Sequence, residues 1–244
     1  MLELVNISFT AENDDGKKDI LKNLNLKIDN GFVVITGPNG GGKSTLAKVI
    51  AGIIKPTTGK ILLDGEDITN LSITERAKKG ISFAFQQPVR FKGITVHDLI
   101  SLAAGRDVNI NEACDYLSQV GLCARDYISR EVNASLSGGE LKRIEIATVL
   151  ARSTKISLFD EPEAGIDLWS FNSLIKVFEK MHDNLGGSII IISHQERILN
   201  IADKVIVIAN GTVKAEGAKD EILPELLHKS DMGCPVLLSK SEGK

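Results

Sequence analysis

Short apolar runs recur along the chain between polar, glycine-containing segments, and each run predicts a buried β-strand. The clearest occupy residues 32–35, 81–85, 156–159 and 189–192. A continuous apolar run of this length is typical of a strand that is covered on both faces. Residues 168–181 place apolar side chains at helical spacing between the last two runs. A strand, a helix and a strand in this order predict a parallel sheet.

Other patterns predict antiparallel pairing near both ends of the chain. Residues 2–9 and 24–28 have the pattern of paired strands around the polar connection 12–18, which has the composition of a hairpin loop. Residues 205–208 and 212–214 flank an Asn-Gly dipeptide, which is a strong hairpin signal. The sheet is therefore expected to be mixed, with parallel core strands and antiparallel N-terminal strands.

Residues 92–135 differ from their surroundings, because their apolar positions have helical spacing and are interrupted by the polar stretch 105–107. We expect a helical subdomain here, inserted into an α/β core that is formed by residues 1–91 and 136–244. The core includes a further strand and turn at 61–65. The whole is predicted to be one domain.

Composition excludes several function classes. The 244 residues are 43% hydrophobic and can bury a large core. The 29 basic and 32 acidic residues give a net charge of −3, which argues against nonspecific nucleic-acid binding. No apolar stretch approaches the roughly 20 residues that a membrane span needs, so direct membrane insertion is not expected. The N-terminal residues lack the pattern of a secretion signal, and we expect a cytoplasmic protein.

The three cysteines, Cys114, Cys123 and Cys234, form no C-x-x-C pair, and we expect free thiols in a reducing compartment. Cys234 is open to two interpretations, an ordinary thiol or a redox or metal ligand near the tail. The tail from about Ser239 is expected to be disordered.

A glycine-rich segment at residues 37–45 follows the first apolar run and precedes a helical pattern that Gly52 can end. Glycines at this spacing let consecutive backbone N–H groups surround phosphate oxygens at a helix start. Lys43 would contact the β- and γ-phosphates, and the Ser44 hydroxyl would bind magnesium. The alternative is a glycine-rich turn that merely contains a lysine. The predicted ATP-binding residues are Gly37, Pro38, Asn39, Gly40, Gly41, Gly42, Lys43, Ser44 and Thr45.

Polar side chains follow three other apolar runs, and ligands of such sheets bind beyond the carboxyl ends of the strands. Asp160 is a predicted magnesium ligand, and Glu161 is expected to orient or deprotonate the attacking water. Gln86 would offer its amide oxygen to the metal or the water, and His194 would donate to the γ-phosphate. Taken singly, the two carboxylates could instead cap a helix, and the histidine could be an ordinary surface residue.

Residues 136–140 read L-S-G-G-E and lie between the phosphate loop and the acidic strand end. With this segment, the chain resembles the ATP-binding-cassette (ABC) ATPases over about residues 2–220. The resemblance implies that the segment acts in trans, on ATP bound by a second copy of the chain, and that Asp167 lies at the dimer interface. ATP would join the two copies and hydrolysis would release them. The residues implied to act in trans are Ser137, Gly138, Gly139 and Glu140.

One position departs from that family's pattern. The family usually places an aromatic ring near the first strand to stack on adenine, and the matching position here is Ala11, with Phe9 two residues earlier. The departure leaves the base preference open.

Several stretches are similar to the SufC-type ATPases of iron–sulfur cluster assembly, namely residues 82–89, 130–133, 139–146 and 193–199. This resemblance implies a soluble SufB/SufD-like scaffold protein as the partner. The alternative is the ATP-binding subunit of a membrane transporter, whose partner is a permease, and the E-P-E sequence at 161–163 favours it. A chromosome or repair ATPase is disfavoured, because the chain has no long coiled-coil insertion.

Overall fold

The computed structural model describes residues 1–13, 16–133, 135–184 and 187–231. Ten strands form two sheets, and nine helices are assigned within these residues. No helix in the described ranges combines the length and the apolar character that crossing a bilayer requires.

The strands are β1 Leu2–Asn13, β2 Gly16–Ile28, β3 Gly31–Thr36, β4 Thr58–Leu63, β5 Glu66–Asp67, β6 Ile81–Ala84, β7 Ile156–Asp160, β8 Ser188–Ile192, β9 Lys204–Ala209 and β10 Thr212–Ala218. The helices are α1 Lys43–Ala51, α2 Ile73–Lys78, α3 Val96–Ala104, α4 Ile110–Gln119, α5 Ala124–Tyr127, α6 Gly138–Arg152, α7 Leu168–Asn184, α8 Glu196–Asn200 and α9 Lys219–Asp231.

The larger sheet has six strands in the order β10-β9-β3-β8-β7-β6. Strands β9, β3, β8, β7 and β6 are mutually parallel, and β10 pairs antiparallel with β9. The smaller sheet is antiparallel, with the order β2-β1-β4-β5. The predicted α/β class with a mixed sheet is confirmed.

Alternating side chains divide the core into two layers. Val33 and Ile35 of β3 pack with helix α1 and the inner face of the smaller sheet, so that α1 is enclosed between the two sheets. Phe32 and Val34 point to the opposite face, where α6, α7 and α8 cover the larger sheet. Because strand β3 is covered on both faces, its sequence is continuously apolar.

Helices α3 and α4 lie in the segment that was predicted to be helical, and both pack against α6. Val96 and Ile100 of α3 and Leu117 of α4 are fully buried in the same core layer as Ile144 of α6. Helix α6, which begins within the L-S-G-G-E segment, therefore holds the inserted helices onto the larger sheet.

The hairpin prediction at the N-terminus is wrong in its extent. Strands β1 and β2 pair through the stretch predicted to be a loop, with Ala11 opposite Lys18 and Glu12 opposite Lys17. A protruding ribbon with two solvated faces needs no apolar side chains, and an exposed Lys17–Glu12 ion pair of 3.6 Å bridges its strands. Polar composition therefore indicated a loop where the backbone forms a ladder. The remaining predicted strands and helices are confirmed, with ends that move by up to three residues, except that β10 runs four residues beyond its prediction.

A buried arginine caps the end of helix α1. The Arg76 side chain is 1% exposed, and its Nη1 donates to the carbonyl oxygens of Val49 and Ile50 at 2.7 and 2.8 Å. Its Nη2 donates to the Thr69 carbonyl at 2.8 Å. The last carbonyls of a helix lack intrahelical partners, and a cation there also interacts favourably with the negative end of the helix dipole. Arg76 thus anchors the C-terminal end of the helix that begins at the phosphate loop.

Replacing Arg76 with methionine should lower the free energy of unfolding by about 2–4 kcal/mol, because buried carbonyls lose charged donors. Urea denaturation measures this change. Arg125→Met, at an exposed position, is the matched control and should change stability by no more than about 0.5 kcal/mol. Equal stabilities of the two variants would contradict the capping role.

Candidate functional site

The segment between β3 and α1 forms a loop in which several glycines have positive φ angles. Gly37, Gly40 and Gly42 have φ of 133°, 74° and 105°. A Cβ atom at Gly37 would lie 2.0 Å from the backbone oxygen of Ile208, so no larger residue fits there. Helix α1 begins at Lys43 with Gly42 as its N-cap and no side-chain cap, which leaves its first N–H groups for a ligand.

Lys43 is buried at the mouth of this loop. Its Nζ donates to the carbonyl oxygens of Gly37 and Pro38 at 2.8 and 3.0 Å. Burial lowers the pKa of the ammonium group, and the negative charges of Glu161 and Asp160 oppose that shift. The predicted phosphate lysine therefore lies close to the predicted metal ligand and the predicted base.

Asp160 ends strand β7 and is only 3% exposed. The Ser44 hydroxyl donates to its Oδ1 at 2.9 Å. Burial raises the pKa of the Asp160 carboxyl, the hydrogen bond from Ser44 opposes this effect, and the charge of Glu161 adds to it. Two predicted magnesium ligands that are far apart in sequence thus share one hydrogen bond.

Glu161 and Gln86 contact each other directly. The Gln86 amide Nε2 donates to Glu161 Oε2 at 2.6 Å, which leaves the amide oxygen of Gln86 available. The backbone N–H of Glu161 donates to the Ile192 carbonyl at 2.9 Å, and its φ is +45°. Left-handed conformations of non-glycine residues are sparsely populated and cluster at functional sites.

The donor set near Ser44 fits a hard divalent cation. A hydroxyl, a buried carboxylate and an amide oxygen from Ser44, Asp160 and Gln86 are oxygen donors of the kind that Mg²⁺ takes, with phosphate and water oxygens completing its shell. Among the described residues, no cluster of three or more His, Cys, Asp or Glu side chains could hold a metal by itself. This arrangement matches an ion that is bound together with a phosphorylated substrate.

Lys43, Ser44, Gln86 and Glu161 line a cleft of about 480 Å³. Lys18 and Ile20 of strand β2 also line the cleft, and neither was predicted from the sequence, in which Lys18 falls within the expected loop. Phe9 packs against the core layer around α1 and does not line the cleft. The cleft is therefore lined here by Ile20 and Lys18 rather than by an aromatic ring that could stack on adenine.

His194 follows β8 at the same edge of the sheet and is exposed, but it does not line this cleft. The preceding residue, Ser193, accepts a hydrogen bond from the Gln195 N–H at 3.0 Å and donates to Glu163 Oε1 at 2.5 Å. Burial raises the pKa of the Glu163 carboxyl. Glu163 thus orients the turn around His194, which sequence reasoning did not identify.

The L-S-G-G-E segment forms the start of helix α6. Ser137 is the N-cap: its hydroxyl accepts from the Glu140 N–H, and Glu140 Oε2 accepts from the Ser137 N–H at 2.6 Å. This reciprocal capping box fixes the helix start. A Cβ atom added at Gly138 would meet nothing within 4 Å, and Ser137 and Gly138 are exposed. Of the residues that line the cleft, none comes from this segment of the same chain.

Two residues support that helix start and were not found from the sequence. The Tyr127 hydroxyl donates to Glu140 Oε1 at 2.5 Å, and the Arg130 guanidinium lies 5.1 Å from the centre of the Tyr127 ring. The hydrogen bond from Tyr127 is the largest of the effects that lower the pKa of Glu140. Glu140 is thereby held as an ionised cap.

Three further sequence predictions have different outcomes. Asp167 lies in an exposed segment that includes Gly165 with φ of +75°, and its interface role stays a prediction. Cys114 and Cys123 are free thiols. Cys234 and the tail from Ser239 lie outside the described residues.

An apolar groove of about 180 Å³ lies beside Gln86, between the end of β6 and helices α3 and α6. Phe85, Val89 and Phe91 in its wall are 40%, 48% and 36% exposed, which is unusual for large apolar side chains. The lining residues are Phe83, Phe85, Val89, Phe91, Leu99, Val132, Leu141, Ile144, Glu145 and Thr148.

Comparison with known proteins agrees with this geometry. Residues 21–164 match the model of the ABC transporter family. An uncharacterized ABC transporter ATP-binding protein of Methanocaldococcus jannaschii is 39% identical over 216 residues, covering 85% of this chain and 86% of the relative. The probable ATP-dependent transporter ycf16 of Antithamnion sp. is 34% identical, covering 90% and 92%. The energy-coupling factor transporter ATP-binding protein EcfA1 of Ureaplasma parvum is 34% identical, covering 97% and 81%.

Solved structures show the same fold. The dimeric, post-hydrolysis structure of the ATP-binding cassette MJ0796 with ADP and Pi has a TM-score of 0.80 and 26% identity, covering 90% of this chain and 99% of the neighbour. The cbiO1 structure from Clostridium perfringens, part of the transporter complex cbiONQ, has a TM-score of 0.74 and 29% identity, covering 96% and 95%. With the phosphate loop, the acidic strand end and the L-S-G-G-E helix in place, the chain belongs to the ABC transporter family and is an ABC-type ATPase.

Proposed function

We propose that Glu161 is the base that takes a proton from the water attacking the γ-phosphate of ATP, and that Gln86 positions it. The observation that carries this proposal is the 2.6 Å hydrogen bond between the two side chains inside the cleft of the phosphate loop. This hydrogen bond fixes the orientation of the Glu161 carboxylate through Oε2 and leaves Oε1 available to a water molecule. A base within hydrogen-bonding distance of the nucleophile is the geometry that proton abstraction needs.

The phosphates of ATP bind at the N-terminus of α1, where residues 37–45 provide backbone N–H groups and the Lys43 ammonium. Ser44, Asp160 and Gln86 hold Mg²⁺, which when bound neutralises charge on the phosphate oxygens. His194 donates to the γ-phosphate; this role requires its exposed side chain to turn towards the nucleotide. Phosphoryl transfer depends mainly on such positioning and charge stabilisation.

The second half of each site comes from another copy of the chain. Residues 137–140 present an exposed helix N-terminus that does not face the cleft of their own chain, and an anion is the ligand that such an end favours. The dimeric cassette structure among the neighbours supports pairing of this kind. In the pair, residues 137–140 contact ATP in trans and Asp167 lies at the interface.

Glu161→Gln should bind ATP normally, lower turnover by about two to four orders of magnitude, and accumulate as an ATP-bound dimer, because only proton abstraction is lost. Steady-state ATPase assays and sedimentation with Mg·ATP measure these effects. Glu179→Gln, at an exposed position of helix α7, is a control of equal chemistry and should not trap a dimer. Ordinary turnover of Glu161→Gln would remove Glu161 from the chemistry.

Two inactive variants should complement each other if the sites are shared. Lys43→Ala removes phosphate binding, and Ser137→Arg blocks the helix N-terminus that acts in trans. Mixed in equal amounts, they should recover roughly a quarter of the wild-type rate, because half of the random dimers are mixed and each has one complete site. The rate of each variant alone is the control. A mixture that stays inactive would argue that both halves of a site lie in one chain.

The free energy of the ATP-dependent association of two copies is used by a partner that contacts the apolar groove beside Gln86. We propose that this partner is a membrane permease whose cytoplasmic segment places an apolar helix face in the groove. Three exposed large side chains, Phe85, Val89 and Phe91, supply the surface. The relatives in Methanocaldococcus jannaschii, Antithamnion and Ureaplasma parvum support this choice, since each is named as a transporter or its ATP-binding protein.

A second candidate is a SufC-type role on a soluble SufB/SufD-like scaffold. The observation that favours it is the sequence of residues 139–146, which is similar to that subfamily. The names of the relatives lend it no support, and it stays a prediction from sequence.

Isolation of the chain with its native partner separates the two candidates. Under the first, an integral membrane protein should accompany it in mild detergent, and Val89→Asp should release that protein while leaving ATP affinity unchanged. Leu102→Asp, also at an exposed apolar position but outside the groove, is the control. A soluble, cluster-binding protein as the companion would overturn the permease proposal and favour the scaffold.

A further inference from the structure

Phe85 is the residue before Gln86, and both of its backbone polar groups are held by one buried ion pair. Its N–H donates to Glu145 Oε1 at 2.9 Å, and its carbonyl oxygen accepts from Lys142 Nζ. Lys142 Nζ lies 3.0 Å from Glu145 Oε2. The two side chains therefore bind the peptide units on each side of Phe85 and each other.

This pair is buried where charges are rare. The side chains of Lys142 and Glu145 are 2% and 15% exposed, one turn apart on helix α6. Burial raises the pKa of the Glu145 carboxyl, and the Lys142 charge opposes the shift. Removing two charges from water costs free energy that packing apolar side chains would not, so the pair is weak as a device for stability. What distinguishes this pair is that both of its side chains also bind the Phe85 backbone.

The held segment is the one that leads directly to the cleft. Strand β6 ends at Ala84, so Phe85 and Gln86 have no strand partner to fix them. The Gln86 side chain is exposed, yet it makes the 2.6 Å bond to Glu161. A fixed backbone at Phe85 is what allows an exposed glutamine to keep one position.

We propose that Lys142 and Glu145 are positioning residues for ATP hydrolysis, which act by clamping the Phe85 backbone so that Gln86 contacts Glu161. The proposal rests on the proposed roles of Gln86 and Glu161 and extends them to a second layer. It assigns a purpose to a lysine and a glutamate of helix α6 that do not line the cleft, although the charge of Lys142 also acts on Asp160 by lowering its pKa. Because Glu145 and Phe85 also line the apolar groove, the clamp lies where the groove and the cleft meet.

A mutant cycle tests whether the pair acts through Gln86. Lys142→Met with Glu145→Leu removes both charges together, so no unpaired charge stays buried. This variant should lower kcat by about ten- to a hundredfold, as expected for a misplaced catalytic contact, and leave ATP affinity within about twofold. In a Gln86→Ala background the same change should cause less than about a twofold further loss, since the contact is already gone.

The conservative variant and the control sharpen the test. Glu145→Gln keeps an oxygen for the Phe85 N–H and should retain most of the activity that the double variant loses. Glu112 lies on helix α4 and forms an ion pair with Arg106, which precedes that helix. Glu112→Gln removes the carboxylate of this pair and should leave kcat unchanged. If the double variant does not fold, Lys142→Met with Glu145→Gln also removes both charges, keeps an oxygen near the Phe85 N–H, and should likewise cause no further loss in the Gln86→Ala background.

Two results would overturn the inference, and they differ in what else they affect. Equal fold losses in the wild-type and Gln86→Ala backgrounds would mean that the pair acts independently of Gln86, and the proposed catalytic roles would stand. A Gln86→Ala variant with normal kcat would overturn the role of Gln86 itself, and the positioning proposal with it.

Discussion

Parallel pairing in the larger sheet is the constraint on which the site depends. Because β9, β3, β8, β7 and β6 run in one direction, their carboxyl ends meet at one edge. The phosphate loop, the carboxylates at 160–161, Gln86 and His194 leave that edge from four of these strands. The distances between Ser44 and Asp160 and between Gln86 and Glu161 follow from this register, and no local sequence could set them.

Buried charges hold the elements that lead to this edge. Arg76 caps the far end of α1, while the near end of that helix starts at the phosphate loop. Lys142 and Glu145 hold the backbone beyond β6. In each case a charged side chain of another element binds backbone groups that secondary structure leaves unpaired. Both devices hold elements that lead to the edge of the sheet where the site residues lie.

The start of α6 is the surface that we propose contacts a second copy of the chain. It contributes no residue to the cleft of its own chain, and its residues Ser137 and Gly138 are exposed. Tyr127 and the capping box keep that helix start rigid in a single copy of the chain. Because this surface is already ordered in one chain, the association with a second copy that we propose would cost little further ordering.

The α/β class, the phosphate loop and the polar residues that end the strands could be predicted from the sequence, because apolar runs and glycine spacing are local properties of the chain. It misjudged the β1–β2 ribbon, where solvent on both faces removes the apolar pattern that marks a strand. Which residues contact one another became visible only in the folded chain: the ion pair at Phe85, the cap by Arg76, Lys18 in the lining of the cleft and the support from Tyr127. Such contacts join positions far apart in sequence, and their geometry depends on how the two sheets and α6 pack.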